Sequence, residues 1–578
     1  MRFLPSPTPV TRLLLRRHWR VLICLALLLT LAAGIGLRSP SPPDEPRFVL
    51  AARDMVESGQ WLLPHRGSEL YAEKPPVFMW MQAATWSVVR NWNLAFLIPS
   101  LLAALTTLWL CWDLGRRLWS RRVGWWAVLA LMSCLQFGLM AKRAQIDMVL
   151  VALTTLSLWG LLRHLLERPN TAALWVAGFA AGLGTVTKGV GFLPLLVLLP
   201  WALWRWQARG QRHAYLAPAR PLLWLLPAFL LGTAVWLGPL GIALLTAPTP
   251  ELQAYAHELL FKQTGTRYTN AWHHVQPAWY YLQVMATLWL PGSLLLPALA
   301  PGWWRRLRRL DARWWLLLGW SLLVLLFFSA SPGKREVYIF PMLPALCVAA
   351  APLLPGLLRR PGPRWILLAY AVVLSVAGLV IGVHLLGGSA WAHAQLAKRA
   401  MPDSLLAPLG LWLLGFGLLM AVLTACLRLR RAGVLAVLAS LLLWNLYGWG
   451  LMPALDPYSS ASAVMQRVGE RIGSQAELGA VAWREQNLLQ ADRPVTEFGF
   501  KRDWNDQWLD AVPWLAQAPH TRWLLVAEPA LSPCVDRARS VAIGSANRND
   551  WWLVPGTALD LQCHATVVGG ESMGDDGD

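Results

Sequence analysis

Apolar runs long enough to carry a helix across a bilayer, about twenty residues each, recur from residue 20 to residue 452 and leave this chain few folds to choose from. Roughly thirteen such runs can be drawn, at 20–37, 92–112, 123–141, 147–163, 172–187, 190–204, 222–246, 279–300, 314–330, 337–355, 365–387, 405–427 and 432–452. Only 14% of the residues are charged, against about 25% in an average soluble domain. The expected fold class is an all-α polytopic membrane protein with about thirteen transmembrane helices.

The net charge of +20 could point to nucleic acid, but its distribution does not. Residues 457–578 hold 10 Lys and Arg against 16 Asp and Glu, so the apolar part carries the whole positive excess. There the arginines cluster in short connectors: Arg12, Arg16, Arg17 and Arg20; Arg116, Arg117, Arg121 and Arg122; Arg305, Arg306, Arg308 and Arg309; Arg428, Arg430 and Arg431. Lys and Arg concentrated in alternate short loops mark the cytoplasmic side. The basic N-terminus followed by Val21–Leu37 reads as a first membrane helix, because the run is long for a signal peptide and more spans follow. An odd span number then places a cytoplasmic N-terminus and an outer, periplasmic C-terminal region.

On that outer side the first loop, 38–91, stands out. Asp44 to Gly59 reads as a short helix: Asp44 suits the N-cap, Pro46 the first turn and Gly59 the position past the end. Phe48, Ala51, Ala52, Met55 and Val56 recur at helical spacing, as on a helix lying along a membrane surface. Asp44, Glu45 and Arg47 would gather at its start. Further on, Pro75 and Pro76 stiffen the backbone after Glu73-Lys74. A rigid lysine there suits a lipid phosphate or snorkels to headgroups, and Glu73 is one candidate metal ligand. Asp147 opens an apolar run, which makes it a functional candidate or the ion-pair partner of Arg143 one turn away. Lys188, the loop 247–278 with Arg267, His273 and His274, and the turn Ser331–Tyr338 with Lys334 and Arg335 complete the outer set. Cations at a bilayer edge fit a lipid phosphate, and carboxylates beside them fit a base or a metal ligand. No Gly-rich phosphate loop or Walker motif is present, so no nucleotide cofactor is expected.

Residues 457–570 read as a small α/β domain, with strands at Leu478–Trp483, Arg522–Ala527 and Val541–Gly544 and a helix at Ala463–Ile472. Residues 571–578 close a Gly/Asp-rich tail expected to be disordered. Five cysteines lie in apolar spans, where they pack as small residues. Cys534 and Cys563, in the polar region, form a disulfide if that region faces an oxidising compartment and otherwise stay as two buried thiols.

Five motifs lie in order: Asp44-Glu45-Pro46-Arg47-Phe48, Tyr71-x-Glu73-Lys74-Pro75-Pro76, Lys188-Gly189, His274-x-x-Pro277-x-x-Tyr280-Tyr281, and Ser331-x-x-Lys334-x-x-x-Tyr338-x-x-Pro341-x-x-Pro344. Together, over residues 40 to 345, they resemble the aminoarabinose transferase branch of the polyprenyl-phosphate-dependent glycosyltransferases, a branch related to the protein O-mannosyltransferases. The resemblance implies a GT-C fold over residues 1–456 and an enzyme of the bacterial inner membrane. It implies inverting transfer of a sugar, such as 4-amino-4-deoxy-L-arabinose, from an undecaprenyl-phosphate donor to an acceptor such as a lipid A phosphate. Carried over, Asp44 is the catalytic acid; Glu45 and Asp147 stand as further catalytic candidates from their positions in the sequence. Arg47, Lys74, Arg267, Lys334 and Tyr338 line the donor phosphate and cavity, and Glu73 and His274 match a divalent-metal site. Phe48 stands where the family more often has Tyr.

Two rival readings stand beside this one. A protein O-glycosyltransferase would differ only in acceptor. A lipid-linked sugar transporter would carry charges deep within interrupted spans, whereas here they gather at the outer ends.

Overall fold

The computed structural model describes residues 9–208, 217–259 and 275–560, with 563, 566 and 567 beyond them. The tail 571–578 lies outside the described residues. Helices dominate up to Ser459, and a small sheet domain follows.

Seven described helical stretches are long and apolar enough to cross a membrane: Trp92–Leu118, Ile146–Leu166, Arg220–Thr246, Ala312–Ala330, Pro361–Leu386, Asp403–Leu427 and Leu429–Ser459. The count rises to nine if each of two bent helix pairs is one span. The sequence therefore announced more continuous spans than form. The run 123–141 is broken into Arg121–Ser133 and Leu135–Ala141, bent by 76°, and the run 279–300 into Tyr280–Leu288 and Gly292–Arg308, bent by 106°. Pro291 lies in the second break, where it can neither donate a backbone bond nor continue the helix. The two breaks partly satisfy each other, since Leu135 N donates to Leu290 O at 3.0 Å; freed backbone groups at membrane depth need such partners. The first helix, α1 (Pro9–Ala32), stops short of Leu37. Gly34 and Gly36, both at positive φ, turn the chain there.

Small residues let the long helices touch. A Cβ on Gly182 would lie 2.1 Å from Phe229 O, and one on Gly232 would lie 2.2 Å from Phe179 O. The backbones of Thr171–Lys188 and Leu225–Thr246 thus meet directly, as glycine faces allow where lipid supplies no hydrophobic drive.

Between α1 and the next long span lie α2 (Glu45–Ser58), a two-stranded hairpin of β1 (His65–Arg66) and β2 (Glu69–Leu70), and α3 (Val77–Val89). The end of α2 is as the sequence announces, with Gly59 at φ 75° and its N–H on Met55 O. Its surroundings differ from a bare membrane-surface helix. Phe48 packs edge-on against Phe78 of α3 at 5.4 Å, while Leu50 is buried with Ala480, Trp483 and Phe500 of the C-terminal domain. The helix is clamped between the two parts of the chain.

The C-terminal domain holds a five-stranded mixed sheet in the order β4-β3-β5-β7-β6. Here β3 is Glu477–Val481, β4 Val495–Glu497, β5 Arg522–Ala527, β6 Val541–Ala546 and β7 Asn549–Pro555. β3 runs parallel to both β4 and β5, and β7 runs antiparallel to β5 and β6. The two strands beyond the sequence reading are β4, only three residues long, and β7. β7 follows the two-residue turn Asn547-Arg548, both at positive φ, which suits a tight hairpin. Helices Ser462–Ile472 and Trp504–Gln517 pack on this sheet through Val464, Val468, Trp508 and Leu515. Cys534 and Cys563 are joined as a disulfide.

Candidate functional site

Asp44 occupies the N-cap position of α2, yet its side chain makes no cap hydrogen bond. Its carboxylate turns instead toward the next wall and accepts a hydrogen bond from Gln145 Nε2 at 2.6 Å. Arg47, one turn along α2, lies 4.0 Å from one carboxylate oxygen, and Arg335 from the turn after Ala330 lies 3.9 Å from the other. The carboxylate is mostly buried but retains some exposure. One direct hydrogen bond among the described residues leaves it accepting capacity, since an ionised carboxylate offers about four lone-pair sites.

Glu45, the second candidate acid, is engaged differently from Asp44. It is 4% exposed. It accepts two bonds from the Arg38 guanidinium, at 2.5 and 2.7 Å, and one each from Ser41 N and Ala144 N at 2.9 Å. Arg38 in turn donates to Lys142 O at 2.8 Å. This bidentate pair stitches the end of α1, the start of α2 and the segment before Ile146 together. Its lone pairs are committed to holding the wall on which Asp44 and Gln145 stand.

Asp147 is buried and pairs with Lys188 rather than with Arg143. The Lys188 ammonium also sits 5.6 Å from the Tyr338 ring centre, and Tyr338 stacks at 5.2 Å on Phe328. Tyr338 thus meets Lys188, whose partner Asp147 lies two residues from Gln145 in sequence. Lys334 departs from its expected role. Its ammonium donates to Ser331 O at 2.6 Å, Gln276 O at 3.0 Å and Pro332 O at 3.5 Å. An ammonium has three donors, so Lys334 fastens its own turn, and the next residue, Arg335, is the one that reaches Asp44.

Glu73 and Lys74 sit just before α3. Glu73 is buried 3.4 Å from Arg66 and 3.6 Å from Lys501 of the C-terminal domain. Arg66 also lies 3.3 Å from Glu485 and 3.8 Å from the centre of the Phe500 ring. Lys74 is half-buried beside Glu73. Arg267 and His274 lie outside the described residues. Among the described residues no three His, Cys, Asp or Glu side chains gather to hold a metal, and Glu73 is already balanced by two cations.

Sequence reasoning missed Arg38, Arg66, Gln145 and the contributions of the C-terminal domain. Arg38 alone carried a signal, as a charge at the edge of an apolar run. Arg66 sits in an ordinary polar loop, and nothing local marks it as buried.

The sequence family described as dolichyl-phosphate-mannose-protein mannosyltransferase matches residues 73–231. The undecaprenyl phosphate-alpha-4-amino-4-deoxy-L-arabinose arabinosyl transferase of Pseudomonas savastanoi pv. phaseolicola is 32% identical over 341 residues, which cover 57% of this chain and 60% of that protein. The enzyme of the same name from Pseudomonas aeruginosa strain LESB58 is 32% identical over 368 residues, 62% of each chain. By sequence this chain is similar to the aminoarabinose transferases. The first of these matches thus spans about three fifths of that relative's length. The fold agrees over a longer stretch. ArnT from Cupriavidus metallidurans, solved bound to undecaprenyl phosphate, superposes with a TM-score of 0.71 at 19% identity, covering 93% of this chain and 98% of that one. Its apo structure gives a TM-score of 0.72 at 18% identity, with 94% and 99% covered. The aminoarabinose transferase fold therefore extends through the C-terminal sheet domain, beyond the stretch matched to the mannosyltransferase family.

Proposed function

We propose that this protein is an inner-membrane glycosyltransferase that moves 4-amino-4-deoxy-L-arabinose from undecaprenyl phosphate to a lipid A phosphate, with inversion. The observation that carries the reading is Asp44: a carboxylate turned away from its own helix end, held by Gln145 and flanked by Arg47 and Arg335. The relatives named for this transfer supply the substrate class. In this reading the shorter helices complete about thirteen spans, the N-terminus is cytoplasmic, and the sheet domain lies in the periplasm, where the Cys534–Cys563 disulfide is at home.

The chemistry follows from charge. The acceptor oxygen bonds to the anomeric carbon as the bond from that carbon to the donor phosphate oxygen breaks, and the electron pair leaves on the phosphate. A lipid A phosphate is already ionised and needs no general base. Asp44 then stabilises positive charge as it develops on the sugar ring, a role carboxylates play in oxocarbenium-like transition states. Cations placed where the leaving phosphate gathers charge lower the barrier further; Arg47, Arg335 and Lys74 are the described candidates, with Arg267 beyond them. Asp147, Lys188 and Tyr338 form the adjoining wall.

A second reading, transfer to a protein hydroxyl, draws support from the mannosyltransferase family match. There Asp44 would be a general base that takes the proton of the acceptor hydroxyl.

Expression of wild type and Asp44→Asn in cells that make the donor, followed by mass spectrometry of lipid A, tests both site and acceptor. Wild type should add the aminosugar and Asp44→Asn should not. Unmodified lipid A with wild type refutes the acceptor, and full transfer by the variant refutes the site.

A further inference from the structure

The two bent spans leave a groove at the Arg-rich end of the helices. It runs from the breaks, at Cys134, Pro291 and Gly292, to Leu358 and Gly433, and is walled by Trp126, Leu299, Leu367 and Ala436. The breaks are close together, since a Cβ on Gly292 would lie 3.2 Å from Cys134 Sγ. Trp126 and Ser133 both line the groove, and the helix between them rises about 10 Å. That depth stays within one half of a hydrocarbon core about 30 Å thick. The polar side-chain atoms on the wall are mostly spent. Ser133 Oγ and Cys134 Sγ donate to Ala130 O at 2.8 and 3.3 Å, Trp289 Nε1 to Gln136 Oε1 at 2.6 Å, and Trp303 Nε1 to Ala349 O at 3.2 Å. An apolar gap of this kind stays dry, so its fitting occupant at membrane depth is a hydrocarbon chain.

The end at Leu358 and Gly433 carries positive charge. Arg359 and Arg360 follow Leu358 directly, Arg430 and Arg431 come just before Gly433, and all four are exposed. Arg364 Nε donates to Leu358 O at 2.7 Å, which brings a fifth guanidinium to that edge. A Cβ on Gly433 would lie 2.9 Å from the Leu358 side chain, so the two basic segments stand side by side. The described acids at this end of the helices are engaged elsewhere: Asp113 with Arg116 and Arg117, Glu167 with Arg117, and Asp311 with Arg313. The five arginines beside the groove thus have no acid partner among the described residues. Trp304 and Trp365, both well exposed, adjoin the same basic segments, as aromatic residues do at a membrane interface. Gln145, which holds Asp44, and Glu167 cap opposite ends of the helix Ile146–Leu166, so the groove lies a full span away from the candidate site.

We propose that this groove binds an anionic glycerophospholipid of the surrounding bilayer, with an acyl chain between the bent spans and its phosphate at Arg359, Arg360 and Arg431. Basic pockets between membrane helices are where anionic headgroups bind, and guanidinium forks suit phosphate oxygens. The lipid fills a gap that the bent helices leave open. The inference does not depend on the transfer proposed above.

The test uses full-length protein in phosphatidylcholine vesicles titrated with phosphatidylglycerol that bears a photoreactive group midway along one acyl chain. Mass spectrometry of the cross-linked peptides should place the label on Arg121–Ser133 and Leu296–Arg308. Each arginine near an anionic headgroup contributes about fivefold in affinity, so Arg359→Gln with Arg431→Gln should weaken groove labelling about twentyfold. Arg168→Gln with Arg220→Gln, exposed at the same end on segments that do not line the groove, should leave it unchanged. Equal loss in the two pairs overturns the proposal, because diffuse attraction to a basic surface would then explain the binding. Label confined to lipid-facing positions such as Val373 and Val380, or equal labelling by photoreactive phosphatidylcholine, overturns it too. Undecaprenyl phosphate that clears the label from the groove at equal concentration assigns the groove to that lipid and likewise overturns it. If Arg359→Gln with Arg431→Gln yields no folded protein, Ala130→Phe, which fills the groove, decides: undiminished label on Leu296–Arg308 overturns the proposal, and its loss supports it.

Discussion

Two adjacent acids, Asp44 and Glu45, should fail in opposite ways when neutralised. Glu45→Gln removes the charge from a carboxylate that accepts four hydrogen bonds and leaves the Arg38 guanidinium, 4% exposed, facing an amide. Breaking a buried ion pair by removing one partner costs about 3–5 kcal/mol, and every 1.4 kcal/mol is about tenfold in the folding equilibrium. The damage should reach three segments at once, because the pair ties α1, α2 and the strand-like stretch before Ile146. Asp44→Asn keeps the shape and the Gln145 contact available, and it loses only ion-pair geometry at 3.9 and 4.0 Å. Its stability should stay within about 1 kcal/mol of wild type, the scale of loosely paired, partly exposed charges. Heating each detergent-solubilised protein and measuring the monodisperse fraction by size exclusion separates the two. Glu45→Gln should collapse at a clearly lower temperature while its surviving protein still transfers sugar. Asp44→Asn should keep the wild-type profile and lose transfer. Equal destabilisation by both variants would refute the division of labour between these acids.

Replacing both Cys534 and Cys563 with Ser should destabilise the sheet domain by about 3–4 kcal/mol by loop-closure entropy for a sequence separation of 29; limited proteolysis with and without reductant checks it. Gly182→Val should abolish folded protein in the membrane, because its Cβ would lie 2.1 Å from Phe229 O; wild-type yield would refute the close approach. Lys188→Met should cost about 3–5 kcal/mol by orphaning the buried Asp147 charge, Asp147→Asn should cost less because Lys188 is only half-buried, and the double variant should recover much of the loss. Additive losses in a double-mutant cycle would show that the two do not act as a pair.

The sequence made the membrane class, the α2 boundaries and the sheet domain legible because each rests on local signals. Asp44, Pro46 and Gly59 mark a helix without help from the rest of the chain. Span continuity was less legible. The apolar runs around Cys134 and Pro291 look unbroken in hydropathy, and only backbone geometry shows them bent, with Leu135 N and Leu290 O joined across the breaks. Side-chain commitment was least legible. Glu45 and Lys334 look as reactive as Asp44 and Arg335 in one dimension. What separates them is whether neighbours from distant segments, Arg38 and Ala144 in one case and the carbonyls of Gln276 and Ser331 in the other, have used up their hydrogen-bonding capacity.

The same distinction describes how the C-terminal domain meets the loop that carries Asp44. A tail joined only by a linker would meet the loop 38–91 through exposed polar contacts worth little each. Here the junction buries Arg66 to 2% exposure between Glu73 and Glu485, with Phe500 against its face and Leu50 sealed under Trp483. Removing either partner from so dry a charge cluster is costly, so the position of Glu73 depends on the sheet domain being docked. The loop that carries Asp44 begins the helix that bears Leu50, and therefore the geometry at Asp44 depends on that docking as well. The loop that carries Asp44 and the tail, more than 400 residues apart in the pairing of Arg66 with Glu485, behave as one structural unit.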